Sequence, residues 1–342
     1  MTTLTLLVPG LRGAGLAGRA KAGFPTPVAP ALAWLLARAD RQPAPRASDA
    51  ALFQHFGLAI PIDADLPVAA ITRLADGGEA DPGWWLRADP VSLRPDVHGV
   101  YLADARALAL TASEAAALAE AFNQWFVDDG VQLAVLQPNR WYLRLADNPQ
   151  LRTRPLVEAI GRDINPLLPR GPGQGRWHRL LTETQMLFYR HPLNQAREQQ
   201  GRPLINGLWL WGGGVEPVRV ASLAGACYAD DPLARGLAQL SGMALHPTPE
   251  QAEAWRPASA GSDSLVVLET ARYDPADDDP LAWAEHVTVL ERDWFAPCRR
   301  WLQTGQLSAL RLQPGDGWTY TVTPAARWSF WRRPRPLMAT AR

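Results

Sequence analysis

The stretch His191–Gly214, HPLNQAREQQGRPLINGLWLWGGG, decides how this chain is read. His191, Asn194, Arg197 and Asn206 gather ahead of an apolar run, Gly207–Trp211, that passes straight into Gly212, Gly213 and Gly214. A short apolar run ending in glycines reads as a buried strand, and such strand ends are where α/β proteins place ligands. Amides, an imidazole and a guanidinium at that place suit recognition of an oxyanion. Just upstream, Arg176–Arg190 carries Trp177, Leu181 and Phe188 at helical spacing and is stopped by Pro192. A shorter helix then ends at Gly201, and the strand after it is read as a return to the main sheet.

Working outward, Leu4–Val8 reads as a buried strand ended by Pro9 and Gly10, with helices over Pro30–Ala39 and Asp49–Phe56. The turn-rich DGGEADPG, Asp76–Gly83, is the natural place for a domain crossing. Beyond it, WWLRADPVSL and GVYLA suggest paired strands. Thr111 with Glu114 three residues on forms a capping box opening a helix that Gly130 closes, and Val131–Leu136 and Trp141–Leu145 are strands flanking a turn. Two strands, a helix and two more strands make a small α+β module. Leu265–Leu268 is a further strand, Pro280 starts a helix through Leu290 and Trp294 that bends near Pro297, and SALRLQPGDGWTYTV is a hairpin. Trp328 and Trp331 are expected to pack back on the core.

With 342 residues, the chain has length for one large or two medium domains. Its 34 basic and 34 acidic residues cancel, which removes the bulk electrostatic argument for nucleic acid or an anionic membrane as partner. Lys21 is the sole lysine, so an oxyanion site would rely on arginine. Cys227 and Cys298 show no metal or disulfide spacing and read as free buried thiols of a reducing compartment. No segment reaches the ~20 apolar residues of a membrane span, so a cytoplasmic address is expected.

Several motifs weigh less than they first suggest. Gly13, Gly15 and Gly18 spell GxGxxG, but Pro25, Pro27 and Pro30 break the helix that a dinucleotide fingerprint must open. Asp277, Asp278 and Asp279 could hold a divalent cation, although carboxylates before a helix start are usually solvated and favoured by its dipole. The six histidines, His55, His98, His178, His191, His246 and His286, lack zinc-site spacing. The segment WSFWRRPRP mixes tryptophan with arginine, as an RNA-contacting arm would, or a solvated one.

The stretch from His191 to Gly212 resembles the HPxN, arginine, glycine, asparagine and glycine-turn run of archaeal-type cofactor-independent phosphoglycerate mutases. The likeness runs through LRADPVSL and TASEAAALAEAFN and covers Trp84–Gly214. More thinly, RASDAALFQHFGL resembles the family's Ser-Asp segment, which puts the nucleophile at Ser48. The whole chain is also similar to a bacterial group labelled regulatory protein of the RpfE type. The resemblance implies an α/β, alkaline-phosphatase-like sheet core, residues 1–83 and 208–342, with an inserted smaller α+β domain over 84–207. It also implies a small phosphorylated or carboxylated metabolite as ligand, with Arg87, Arg140, His191, Asn194, Arg197 and Asn206 as its contacts.

Departures from the pattern decide the functional expectation. Family members activate their serine between two metals ~4 Å apart that clamp the phosphoryl group. Their first strand ends in Asp-Gly, whereas this one ends in Pro9-Gly10, and TVTPAARWSFW offers neither carboxylate nor imidazole where a metal-ligand segment belongs. An unassisted serine is a poor nucleophile. The expectation is therefore a metal-free regulatory or metabolite-binding pseudoenzyme. The alternatives are an active mutase or phosphatase with Mn, Mg or Zn rebuilt on Asp277–Asp279, and a protein-binding scaffold using exposed tryptophans.

Overall fold

The computed structural model describes residues 2–12, 27–97, 99–103, 108–221, 224–258, 261–269 and 280–334. It divides into two compact units, Met1–Ala59 with Arg219–Arg342, and Ile60–Val218.

The first unit begins with β1 (Thr3–Leu7), α1 (Pro30–Arg38), β2 (Asp40–Pro43) and α2 (Ser48–His55). Pro30 sits in the first turn of α1, where its missing N–H costs nothing, and Leu32, Leu35 and Leu36 are buried as their spacing predicts. The second unit follows with α3 (Val68–Ala75), β3 (Trp84–Val91), β4 (Leu93–Asp96), β5 (Gly99–Leu102), α4 (Ala112–Trp125), β6 (Val131–Gln137), β7 (Arg140–Leu145), α5 (Gln174–Arg190), α6 (Pro192–Gln199) and β8 (Gly207–Gly214). The chain then returns to the first unit with β9 (Ala226–Tyr228), α7 (Pro232–Ser241), β10 (Ala244–His246), α8 (Ala252–Ala258), β11 (Ser264–Val267), α9 (Pro280–Leu290), α10 (Ala296–Gln303), β12 (Ala309–Gln313) and β13 (Trp318–Val322).

The first unit's sheet has seven strands in the order β10-β9-β11-β1-β12-β13-β2. The five from β10 to β12 are mutually parallel, and β13 is antiparallel to both of its neighbours. A parallel sheet must be covered on its faces, which is why β1 reads as a continuous apolar run. Leu4 and Leu6 are fully buried in a core with Leu32, Trp255, Trp294 and Trp301. A π-helical stretch, Glu291–Phe295, joins α9 to α10 where the sequence suggests only a proline bend. Its purpose is legible in the bonds of Glu291, whose buried carboxylate accepts from the Ala31 N–H at 2.6 Å and the Leu32 N–H at 2.9 Å. It caps α1, which has no side-chain cap of its own.

The second unit holds a four-stranded sheet, β6-β7-β3-β8, antiparallel at each pairing, and a separate β4-β5 hairpin. The capping box of α4 forms in both directions between Thr111 and Glu114. Three expectations differ here. The unit starts at residue 60 and ends at 218, rather than at 84 and 207, because α3 packs on this sheet and β8 belongs to it. β8 therefore does not return to the main sheet, and β5 pairs with β4 instead of with β3.

The glycine run differs as well. Gly212–Gly214 is not a ligand loop but the last part of β8, with Gly214 paired to Trp85. A Cβ on Gly212 would stand 3.0 Å from the Cβ of Val68, and one on Gly214 only 2.4 Å from that of Pro67. The glycines let the start of α3 approach the strand, which accounts for their clustering without a ligand.

Candidate functional site

Of the candidate residues, Ser48 lies in the first unit and the other six in the second.

β1, β12 and β2 all end on one edge of the large sheet, where open α/β sheets place their sites. Ser48 opens α2 just past the end of β2, and Ala47 before it makes no side-chain cap bond to the helix N–H groups. The exposed Arg46 lies beside Gly317, whose added Cβ would come within 3.3 Å of the Arg46 Nε. The positive helix end and a guanidinium together suit an anion, and Asp49 already places one carboxylate in that first turn. Facing this edge, Arg12 donates to Asp316 at 2.9 Å and to the Tyr320 hydroxyl at 2.7 Å, and that hydroxyl donates to Asp316 at 2.7 Å. Burial, followed by the Asp316 carboxylate, pushes the Tyr320 phenol up.

The Ser48 hydroxyl donates to Asp49 at 3.3 Å, too long for efficient proton transfer. His55, seven residues along α2 and so about 10 Å away by helix rise, is held by Gln313 at 2.8 Å. Burial lowers its pKa, and its Nε2 is occupied by Gln313. The two divalent metals of the resembled family need a cluster of hard donors. Among the described residues, no group of three or more His, Cys, Asp or Glu side chains is placed to hold a metal, so they do not fit such a pair. Asp277, Asp278 and Asp279 lie outside the described residues, as do Gly13, Gly15, Gly18 and His98.

In the second unit, most of the expected anion-gripping groups are engaged within the protein. Arg87 is buried and paired with Asp89 at 2.7 Å, between the rings of Tyr142 and Trp211, and Trp211 Nε1 donates to the other Asp89 oxygen at 2.7 Å. Arg140 grips Asp76 with bonds of 2.8 and 2.6 Å, and that bond raises its pKa. Arg197 meets Glu114 at 2.9 Å and the carbonyl of Pro203 at 2.9 Å. Asn194 donates to the carbonyls of Phe188 and Ile205 and accepts from the Ile205 N–H, tying α5 and α6 to the start of β8. Asn206 exchanges two bonds with the backbone of Leu93. His191 caps α6 by accepting from the Leu193 N–H at 3.2 Å, and burial lowers its pKa.

These residues therefore lock loops and helices around the small sheet. Their spacing matches a set of internal hydrogen bonds that satisfy polar groups of the unit. Sequence reasoning missed Arg94 and Arg202, which with Asn206, Gln185 and Tyr189 line an open groove of about 620 Å³ between the β4-β5 hairpin and helices α5 and α6. It missed Arg12 and Arg46 as well. Arg12, Arg46 and Arg94 stand three to five residues past a strand end, which was the available cue, whereas Arg202 follows α6.

Searched against known families, the chain matches no family model. Over 95 residues it is 33% identical to a Geobacter sulfurreducens protein named "Probable 2,3-bisphosphoglycerate-independent phosphoglycerate mutase". That match spans 26% of this chain and only 24% of that protein. Among solved structures, PH0037 protein from Pyrococcus horikoshii is similar at a TM-score of 0.52 and 13% identity, covering 94% of this chain and 86% of that one. A cofactor-independent phosphoglycerate mutase from Thermoplasma acidophilum is similar at a TM-score of 0.45 and 17% identity, covering 94% and 89%. The likeness to the Pyrococcus protein shows the fold, the α/β class with a large central sheet and helices that the sequence implies, and the fold alone.

Proposed function

We propose that this chain is a phosphoglycerate-mutase-like protein that binds a small phosphorylated or carboxylated metabolite and acts in regulation, as a cytoplasmic protein of the RpfE type would. The observation that carries the reading is the setting of Ser48. It stands at a helix N-terminus where Ala47 supplies no side-chain cap, two residues from Arg46, and its hydroxyl meets the Asp49 carboxylate only at 3.3 Å. Such a site binds a phosphate or carboxylate and leaves it intact. The curated relative, a named phosphoglycerate mutase, supports a phosphoglycerate as the first ligand to try.

Thermal unfolding with and without 3-phosphoglycerate tests binding, alongside metal analysis and a mutase assay with added manganese. The expected outcome is a rise in melting temperature that Arg46→Ala abolishes, with no turnover. Bound divalent metal together with turnover that vanishes in Ser48→Ala would overturn the reading and make the chain an active phosphomutase. No shift with any phosphoglycerate, together with retention of a protein partner in a pull-down, would favour the scaffold.

A further inference from the structure

The segment Arg327–Pro334, RWSFWRRP, does not behave as its composition suggests. Trp328 and Trp331 are expected to pack on the core, yet they are 66% and 65% exposed, and Phe330 is 77% exposed. Ala326 is the residue that buries here, in the middle of the short 3-10 turn Pro324–Trp328, and the large side chains beyond it are exposed. The segment is nevertheless fixed at both ends. Arg332 donates to the carbonyls of Arg38 and Ala39 and to the Asp40 carboxylate, each at 3.2 Å. Arg327 donates to the Gln303 carbonyl at 3.3 Å and lies over the Trp328 ring at 5.1 Å. Three large rings are thus held out in water within four residues, and arginines flank them on both sides.

Exposing that much aromatic surface is unfavourable unless something covers it. Charge narrows the choice of what does. The chain is neutral as a whole, but the described segment Arg327–Pro334 has three arginines and no Asp or Glu, with Arg332 alone paired to a carboxylate, that of Asp40. The segment carries a net positive charge, so the partner is anionic as well as apolar. Geometry narrows it again. Phe330 and Trp331 meet edge to face, with centroids 5.3 Å apart and planes at 79°. A single strand of nucleic acid uses successive rings as platforms for successive bases, and a base laid on one of these rings would run into the edge of the other. The interfacial layer of a bilayer accepts aromatic rings in any mutual orientation, with basic side chains at the headgroups.

We propose that Trp328, Phe330 and Trp331, with Arg327 and Arg333, form a docking surface for an anionic lipid bilayer. The rings enter the headgroup region and these two guanidiniums meet lipid phosphates, while Arg332 holds the segment in place through Asp40. This is attachment to a surface, not insertion.

Co-flotation of the full chain with vesicles tests it, using phosphatidylcholine alone and phosphatidylcholine with about one-third phosphatidylglycerol, an anionic lipid. Binding is expected only to the anionic vesicles, and it should weaken several-fold at about 0.5 M salt, where charges are screened within ~5 Å. The triple variant Trp328→Ala, Phe330→Ala, Trp331→Ala should lose at least about tenfold in bound fraction. Its melting temperature should stay that of the parent, because the three rings are exposed. Absence of binding to anionic vesicles overturns the proposal, as does binding that survives in the triple variant. Tighter binding to a single-stranded oligonucleotide or to an acidic protein than to vesicles overturns it too.

Discussion

Glu114 and Arg197 form an ion pair at 2.9 Å in which one carboxylate serves three masters. The same Glu114 closes the capping box of α4 with Thr111 and receives Arg202, also at 2.9 Å. The capping glutamate of one helix thereby anchors the segment after another. Burial alone would push the Glu114 carboxyl up, but the Thr111 N–H and the two guanidiniums outweigh it and hold the group at about 2, against 4.5. A folded value below the unfolded one means that the contribution is complete above pH 4.5 and drains away as pH falls toward 2. Glu114→Gln should cost about 3 kcal/mol, since it leaves the buried Arg197 charge unpaired. Urea unfolding across a pH series should show a flatter acid limb in the variant. An unchanged slope between pH 4.5 and 2 would refute the assignment.

Arg87 and Asp89 make the corresponding test for a wholly buried pair. Arg87→Met should destabilise by about 3–5 kcal/mol, because the Asp89 carboxylate loses its main partner in a dry site. Adding Asp89→Leu should restore part of that loss. A double-mutant cycle measured by chemical denaturation reads the coupling, and simple additivity would mean that the pair is not the unit it looks to be.

Gly214→Ala should cost about 1–3 kcal/mol, since the new methyl would overlap Pro67 and force β8 and α3 apart. Gly130→Ala is the contrast, with open space around it and φ of +66°, so its cost is backbone strain alone, about 1 kcal/mol. Equal melting temperatures for the two variants would show that close approach is not why glycine stands at 214.

Glu291→Ala should lower stability by about 1–2 kcal/mol, the usual cost of a lost helix cap. The effect is expected at α1, so hydrogen exchange at Ala31 and Leu32 should accelerate more than exchange elsewhere in the large sheet. Uniform acceleration would deny the capping role.

Cys227 and Cys298 are fully buried, and burial raises both thiols, Cys227 to about 12. Neither should react with a disulfide reagent in the native protein at neutral pH, and both should react in urea. Rapid native labelling of either would contradict the packing.

Legibility varied with the range of the interaction that decides each feature. β1, α1, the α4 capping box, the β6-β7 pair and the β12-β13 hairpin could all be read locally, because periodicity, a cap or a turn settles each within a few residues. α3 escaped notice, since eight largely apolar residues look alike whether they coil around a helix axis or extend. At the candidate site the residue types were visible but their uses were not. Arg87, Arg140 and Arg197 look like anion ligands until Asp89, Asp76 and Glu114, up to 83 positions away, are found opposite them.

By itself, then, the sequence determined those helices and strands whose periodicity, cap or turn is local, that the chain is α/β, and where the cationic side chains fall along it. Which sheet receives β8, whether Gly212–Gly214 meets a ligand or a helix, and whether Trp328 and Trp331 turn inward were decided only in three dimensions. The reason is that secondary structure follows from neighbours along the chain, whereas burial and charge pairing depend on side chains brought from far away by folding. A tryptophan or an arginine carries no mark of its eventual partner, and the partner determines whether it supports the fold or faces something outside it.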